Sequence, residues 1–287
     1  MSIEKSREHL AMRADELLSL LRSFGSCGVA YSGGVDSTVV AKAARLALGD
    51  RAVAITGTSP VQPAGQLEEA AELAALIGIR HEVIVTQELS DPAFTQNNPD
   101  RCYHCKTGIY SQIKAKMGEL GLSVLVDGAN ADDASDYRPG LRAASEQGAR
   151  SPLAECGFTK EDVRALAVHW DLPIWDKPAT PCLASRVAYG TFIDERRTVM
   201  IDKAEQCLRE YGLRTVRARY HEGDLCRLEV PEEAIAMLCE PRTRRELSGR
   251  LRGLGFKFVA LDLEGFRSGS MNRVLPTAAL QPSVERE

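Results

Sequence analysis

The apolar run CGVAY at 27–31 passes directly into the turn SGGVDS at 32–37 and then into TVVAKAARLAL at 38–48, which reads as a helix. Strand, glycine turn and helix in immediate succession open a βαβ unit, and the sequence that follows repeats the alternation. AVAIT (52–56) is a second strand, QLEEAAELAALIG (66–78) a helix, HEVIVT (81–86) a third strand and SVLVDG (123–128) a fourth. An amphipathic helix with Leu10, Leu17, Leu18 and Leu21 on one stripe precedes them. Alternation of this kind predicts an α/β class with a parallel sheet covered on both faces. Ligands in such sheets bind beyond the carboxyl ends of the strands, where both SGGVDS and the loop after SVLVDG lie.

The pattern changes near residue 190. IDERRTVMIDKAEQCLREYGL (193–213) reads as a long helix, TVRARY and LCRLEV as short strands, PEEAIAMLCE and RTRRELSGRLRGLG as helices, and KFVALDL as a last strand. Residues 1–190 are therefore expected to form the parallel-sheet domain, 191–273 a smaller α+β domain and 274–287 a tail, frayed from Pro276 onward.

Composition narrows the function classes. A net charge of −4 gives the whole chain no excess with which to hold long nucleic acid. Eight cysteines in 287 residues are too sparse for a disulfide-stapled scaffold, and MSIEKSREHL is too charged for a signal peptide. No apolar run is long enough for a membrane span, so a cytoplasmic, reducing context is expected.

In the turn, glycines Gly33 and Gly34 let the backbone approach an anion, while the hydroxyls of Ser32 and Ser37 and the amides of the helix N-terminus donate to it, with Asp36 between them. The lysine of a Walker loop is missing, which favours a grip on the pyrophosphate half of ATP over a kinase-type loop. The competing reading is a plain glycine turn capped by Ser and Asp. SGGxDS after a first strand resembles the signature of the PP-loop ATP pyrophosphatases, which adenylate a substrate and release pyrophosphate. A second dense stretch, GANADDASDYRPG (128–140), brings Asp132, Asp133 and Asp136 beside Asn130 and Arg138. It is either a solvated loop or a group that orients Mg²⁺ and nearby basic side chains.

Cys102 and Cys105 form a C-x-x-C pair in RCYHCK, where a turn would send both thiolates to one side, and Cys182 stands in TPCLASR. A shared metal, a redox dithiol and a zinc site completed by His104 are all compatible with that spacing. Cys27, Cys156, Cys207, Cys226 and Cys239 read as core or bystander thiols. Arg217 and Arg219, two apart in a strand, share a face and suit a phosphate or carboxylate, or else form an exposed basic face.

SGGVDS, DGANADDASDYRPGLRAASEQGARSPL, KPATPCLASRVAYGT, TVRARYH and LDLEGFRSGSMN occur in this order. Together they resemble the LarE family of ATP-dependent sulfur transferases of nickel-pincer nucleotide biosynthesis, over about residues 10–273. The resemblance implies an adenine nucleotide alpha hydrolase-like fold, ATP and Mg²⁺ as cofactors, and pyridinium-3,5-biscarboxylic acid mononucleotide as the small-molecule substrate. It further implies a homo-oligomer, by family a hexamer. One branch of the family sacrifices a single cysteine; another holds a [4Fe-4S] cluster on three. Cys102, Cys105 and Cys182 match the three-cysteine branch, and the sulfide donor is not specified. By the same resemblance Asp36, Cys182 and Arg186 are the catalytic candidates, Arg186 placing positive charge beside the reacting carboxylate. Arg217 and Arg219 become the substrate-phosphate candidates, and Glu205 matches a family acid although an ordinary helix-surface role competes. The alternatives are a tRNA thiolase with the same loop and cluster, sacrificial use of the Cys182 sulfur, an amide-forming enzyme of the NAD synthetase type, and a zinc-stabilised nucleotide sensor.

Overall fold

A computed structural model describes residues 3–135 and 139–275. In chain order the elements begin with α1 (Ile3–Ser23), β1 (Cys27–Ala30), α2 (Val35–Leu48), β2 (Ala52–Thr58), α3 (Gln66–Ile77) and β3 (Arg80–Val85). They continue through α4 (Pro92–Thr95), α5 (Arg101–Leu120), β4 (Val124–Val126), α6 (Pro139–Glu146), α7 (Pro152–Glu155) and α8 (Lys160–His169). The C-terminal part holds α9 (Glu195–Arg209), β5 (Arg217–His221), β6 (Leu225–Glu229), α10 (Glu232–Cys239), α11 (Pro241–Gly253) and β7 (Phe258–Leu261).

The first sheet is fully parallel, in the order β3-β2-β1-β4, as the alternating pattern predicts. Its central strands read as unbroken apolar runs because both faces are covered. On one face α1, α2, α3 and α8 bury Leu17, Leu21, Val39, Leu73 and Leu166. On the other, α5 packs Tyr110, Ile113 and Met117 against Val53, Ile55 and Leu125. The chain runs outward from β1 to β3 and then returns to place β4 on the far side of β1. The order therefore reverses between β1 and β4, and a crevice opens at their carboxyl ends.

The second sheet, β5-β6-β7, is mixed, with β5 and β6 antiparallel and β6 and β7 parallel. Its core joins Ile201, Ala204, Tyr220 and Leu251 to Val61, Phe94, Leu183 and Val187 from before residue 190. The segment carrying Cys182 is thus packed on the second core, and the core does not divide cleanly at 190. The tail expected beyond Pro276, with Asp136 and Arg138 of the acidic stretch, lies outside the described residues. Among the described residues no helix is long and apolar enough to cross a membrane.

Candidate active site

The SGGVDS turn sits at the mouth of the crevice. Gly33 has φ +68°, and a Cβ there would lie 3.0 Å from the Ala70 side chain and 3.1 Å from its backbone, so only glycine fits. Gly34 is the N-cap of α2 and has no side chain with which to satisfy the first amides of the helix, which are left for an anion. Ser37 Oγ donates to Gly34 O at 3.1 Å, accepts from Ser32 N at 3.3 Å and lies 3.1 Å from Ser32 Oγ, which locks the turn. Across the crevice Gly128 touches the loop. A Cβ on it would lie 2.8 Å from Ser37 N and 3.0 Å from the Asp36 carbonyl carbon.

Between the two loops is a cavity of about 220 Å³, lined by the turn, Asp36, Lys106, Tyr110, Asp127 and Asp133. Lys106 Nζ donates to Tyr110 Oη at 2.8 Å, and Tyr110 donates to Asp127 Oδ2 at 3.1 Å. Asp127 Oδ1 also accepts from Ser151 Oγ at 2.7 Å and from the Ala129 amide at 3.1 Å. Burial, followed by the Asp127 charge, pushes the Tyr110 hydroxyl far above its usual range, so it remains a donor. Sequence reasoning did not single out Lys106, Tyr110 or Asp127. The signals were an acid ending an apolar strand at the ligand edge and a lysine directly after Cys105.

The acidic stretch is tied to the same place through Asn130. Its Nδ2 donates to Asp36 Oδ1 at 3.1 Å, its backbone amide to Asp133 Oδ2 at 3.1 Å, and its Oδ1 accepts from the Asp132 amide at 3.1 Å. Asp132 also accepts from the Lys160 amide at the start of α8, at 2.8 Å. Asp133 is buried and faces the cavity, whereas Asp132 braces the loop. Asp36, Asp127 and Asp133 are hard oxygen donors of the kind Mg²⁺ takes.

Cys102 and Cys105 lie in the first turns of α5, not on a loop turn, and the i, i+3 spacing places both on one helix face. Cys182 approaches them closely enough that a charge on its sulfur would raise the pKa of both. Desolvation, then the Cys182 charge and the Glu88 carboxylate, drives the Cys105 thiol well above the ordinary thiol range. At Cys102 desolvation also raises the thiol, although the side chain reaches the surface; Arg101 and Lys106 oppose the shift. Among the described residues no three His, Cys, Asp or Glu side chains stand in metal-holding geometry. Cys102, Cys105 and Cys182 are soft sulfur donors, the chemistry that iron–sulfur and zinc centres take rather than that of a hard cation, but in this arrangement they do not themselves form a metal-holding group. His104 pairs with Asp100 at 3.3 Å.

The Cys182 segment is held by cations. Arg186 is fully buried; its Nε and Nη2 donate to the two Glu205 carboxylate oxygens at 2.9 and 3.2 Å, and its Nη1 donates to Cys182 O and Ser185 Oγ, each at 3.1 Å, and to Pro181 O. Glu205 is also fully buried, which corrects the helix-surface alternative, because α9 turns it into the second core where Arg186 neutralises it. Lys177, on the same segment, donates to Gly33 O at 3.0 Å and pairs with Glu69 at 2.8 Å, joining the segment to the phosphate turn. Arg217 and Arg219 do not form an open pair. Arg219 is buried on Glu229 at 2.7 Å, whereas Arg217 donates to Ala179 O at 3.1 Å and to its neighbour's carbonyl. Burial, and then the nearby Arg186, lowers the Arg217 guanidinium to about 10.

With this geometry in view, comparison with known proteins is specific. Residues 13–112, which include the phosphate turn, match the NAD synthase family model. A pyridinium-3,5-bisthiocarboxylic acid mononucleotide synthase of Lactiplantibacillus plantarum is 39% identical over 94% of this chain and 98% of its own length. An uncharacterized protein of Synechocystis is 44% identical, covering 92% of this chain and 99% of the relative. The tRNA-specific 2-thiouridylase of Azorhizobium caulinodans is 30% identical over only 52% of this chain and 48% of its own. A PP-loop at a parallel-sheet switch point, carried by a chain that matches the Lactiplantibacillus protein almost end to end, leads to one conclusion: this protein belongs to the pyridinium-3,5-bisthiocarboxylic acid mononucleotide synthase family, the LarE-type ATP-dependent sulfurtransferases.

Proposed function

We propose that the protein adenylates a carboxylate of pyridinium-3,5-biscarboxylic acid mononucleotide with ATP and replaces AMP with sulfur, giving the thiocarboxylate for nickel-pincer nucleotide synthesis. The observation that carries this reading is the placement of α5. It sends Lys106 and Tyr110 into the nucleotide cavity and holds Cys102 and Cys105 at its start, with Cys182 beside them. One rigid helix thereby links carboxylate activation to thiol chemistry.

The turn amides and Ser37 would hold the departing pyrophosphate, and Lys106 would offset charge as it leaves. Asp36, Asp127 and Asp133 line the cavity that Mg²⁺ would enter with the nucleotide phosphates, where one or two of these carboxylates would complete its coordination. Adenylation is needed because carboxylate oxygen leaves poorly, whereas AMP leaves well. Attack of the substrate carboxylate on the α-phosphorus forms the acyl-adenylate, and a sulfur nucleophile then expels AMP. Cys102, Cys105 and Cys182 would hold a [4Fe-4S] cluster; when bound, such a cluster supplies one iron without a protein ligand, an open position for external sulfur. Arg186 and Glu205 keep the Cys182 backbone in place. Arg217 and Arg219 would take the substrate phosphate only by giving up contacts they hold here, Arg217 its carbonyls and Arg219 its Glu229 pairing.

Two measurements test the proposal. Cys182→Ala should abolish thiolation while pyrophosphate release with the pyridinium substrate continues; normal thiolation by this variant refutes the assignment. Anaerobic reconstitution should yield iron and acid-labile sulfide in the wild type. Their absence returns Cys182 to the sacrificial role.

A further inference from the structure

The face of α5 turned away from the nucleotide cavity borders a second, smaller cavity of about 70 Å³. Its wall is formed by His104, Cys105, Gly108, Ile109 and Gln112 of α5 and by the segment opposite, with Thr86, Gln87, Glu88, Asp91 and Phe94. Glu88 is 8% exposed and sits in the short helical turn after β3. One carboxylate oxygen, Oε1, accepts from Thr86 Oγ1 at 2.9 Å; the other, Oε2, is buried and has no hydrogen-bond partner among the described residues. A buried carboxylate oxygen without a donor is costly, and its position in the wall of a cavity that a small molecule can enter specifies what the cavity takes.

We infer that this cavity is a docking site for inorganic sulfide in its neutral, S–H-donating form, with Glu88 Oε2 as acceptor, on the side of Cys105 opposite the nucleotide. The chemistry of the wall selects for it. The Glu88 and Asp91 carboxylates disfavour anions such as phosphate or hydrosulfide. Phe94 and Ile109 favour a soft, weakly hydrated molecule over one that must keep several hydrogen bonds. The volume is far below that of a nucleotide. Because α5 separates the two cavities, sulfur could be replenished while the nucleotide side is occupied. This inference rests on the sulfurtransferase reading given above and adds the route of its sulfur.

Two arms test it with the full chain. In crystals of the ligand-free protein soaked in sodium sulfide, long-wavelength anomalous diffraction should place a sulfur within hydrogen-bond reach of Glu88 Oε2, and the peak should vanish in Glu88→Gln. Only water or a cation at that position overturns the inference. In multiple-turnover thiolation by the reconstituted enzyme with sodium sulfide, Glu88→Gln should raise the KM for sulfide about tenfold, about 1.4 kcal/mol, with the KM for ATP and pyrophosphate release unchanged. Gly108→Leu is the second variant, because it adds bulk at the cavity wall where an added Cβ meets no atom within 4 Å. It should raise the same KM. If wild type thiolates and neither variant changes the sulfide KM, the site is refuted while the function stands. If wild type does not thiolate at all, the function fails, and the diffraction arm still decides the site.

Discussion

Arg186 and Glu205 are both fully buried, so their pairing makes a quantitative prediction. Glu205→Ala would remove the acceptor of two Arg186 donors, of Arg209 Nη2 at 3.1 Å and of the Ala218 amide at 3.3 Å, leaving a guanidinium charge in the core. Breaking a buried pair in this way costs about 3–5 kcal/mol. For a chain of 287 residues the unfolding entropy near the midpoint is about 0.6 kcal/mol/K, so the melting temperature should fall by about 5–8 °C in calorimetry. The double replacement Arg186→Met with Glu205→Leu removes both charges and should recover part of that loss, because neither ion is left desolvated although the Pro181 and Cys182 carbonyls and the Ala218 amide lose their partners. If Arg186 acts by bracing Cys182, the recovered double variant still releases pyrophosphate, and its thiolation is slowed in proportion to the freedom of the 181–186 segment. A fall of less than about 2 °C in Glu205→Ala, or a double variant no more stable than the single one, would refute the reasoning.

Three further outcomes are expected. Lys106→Met keeps the packing of the stem against Gly140 but removes the lysine from the nucleotide cavity, and pyrophosphate release should slow by about 100-fold with folding intact, as followed by a coupled pyrophosphate assay. Gly128→Ala pushes a methyl against the backbone of Ser37 and Asp36; it should raise the KM for ATP and cost about 1–3 kcal/mol in urea unfolding, whereas an unchanged KM would mean that the turn tolerates displacement. The Tyr220 hydroxyl and then Lys257 hold the Asp224 carboxyl down to about 2. A depressed carboxyl adds stability above its unfolded value of about 3.9 and loses it as pH falls toward 2, so Asp224→Asn should flatten the stability curve across that window.

The order of strands and helices was legible because parallel strands buried on both faces leave unbroken apolar runs, and α2 and α3 leave a clear 3.6-residue stripe. The phosphate turn was legible because the chemistry is local: six consecutive residues carry the glycines, the hydroxyls and the helix start. The helical setting of Cys102 and Cys105 was not, since α5 opens on RCYHCKTG, where polar residues and Gly108 obscure the stripe. The depth of Glu205 was hidden as well, because a charged residue in a charged helix reads as surface unless its partner is known, and that partner is 19 positions away.

From sequence alone came the α/β class, the nucleotide turn, and three cysteines that the family resemblance set apart from the other five. Tertiary structure decided which groups share a space: Lys106 with the phosphate turn, Asn130 with Asp36, Arg186 with Glu205, and Glu88 with Cys105. The physical reason is that propensity and motif depend on neighbours along the chain, whereas burial, charge pairing and cavities depend on neighbours across it. A buried ion pair or a carboxylate oxygen without a donor acquires its energy only after the fold has removed water from around it.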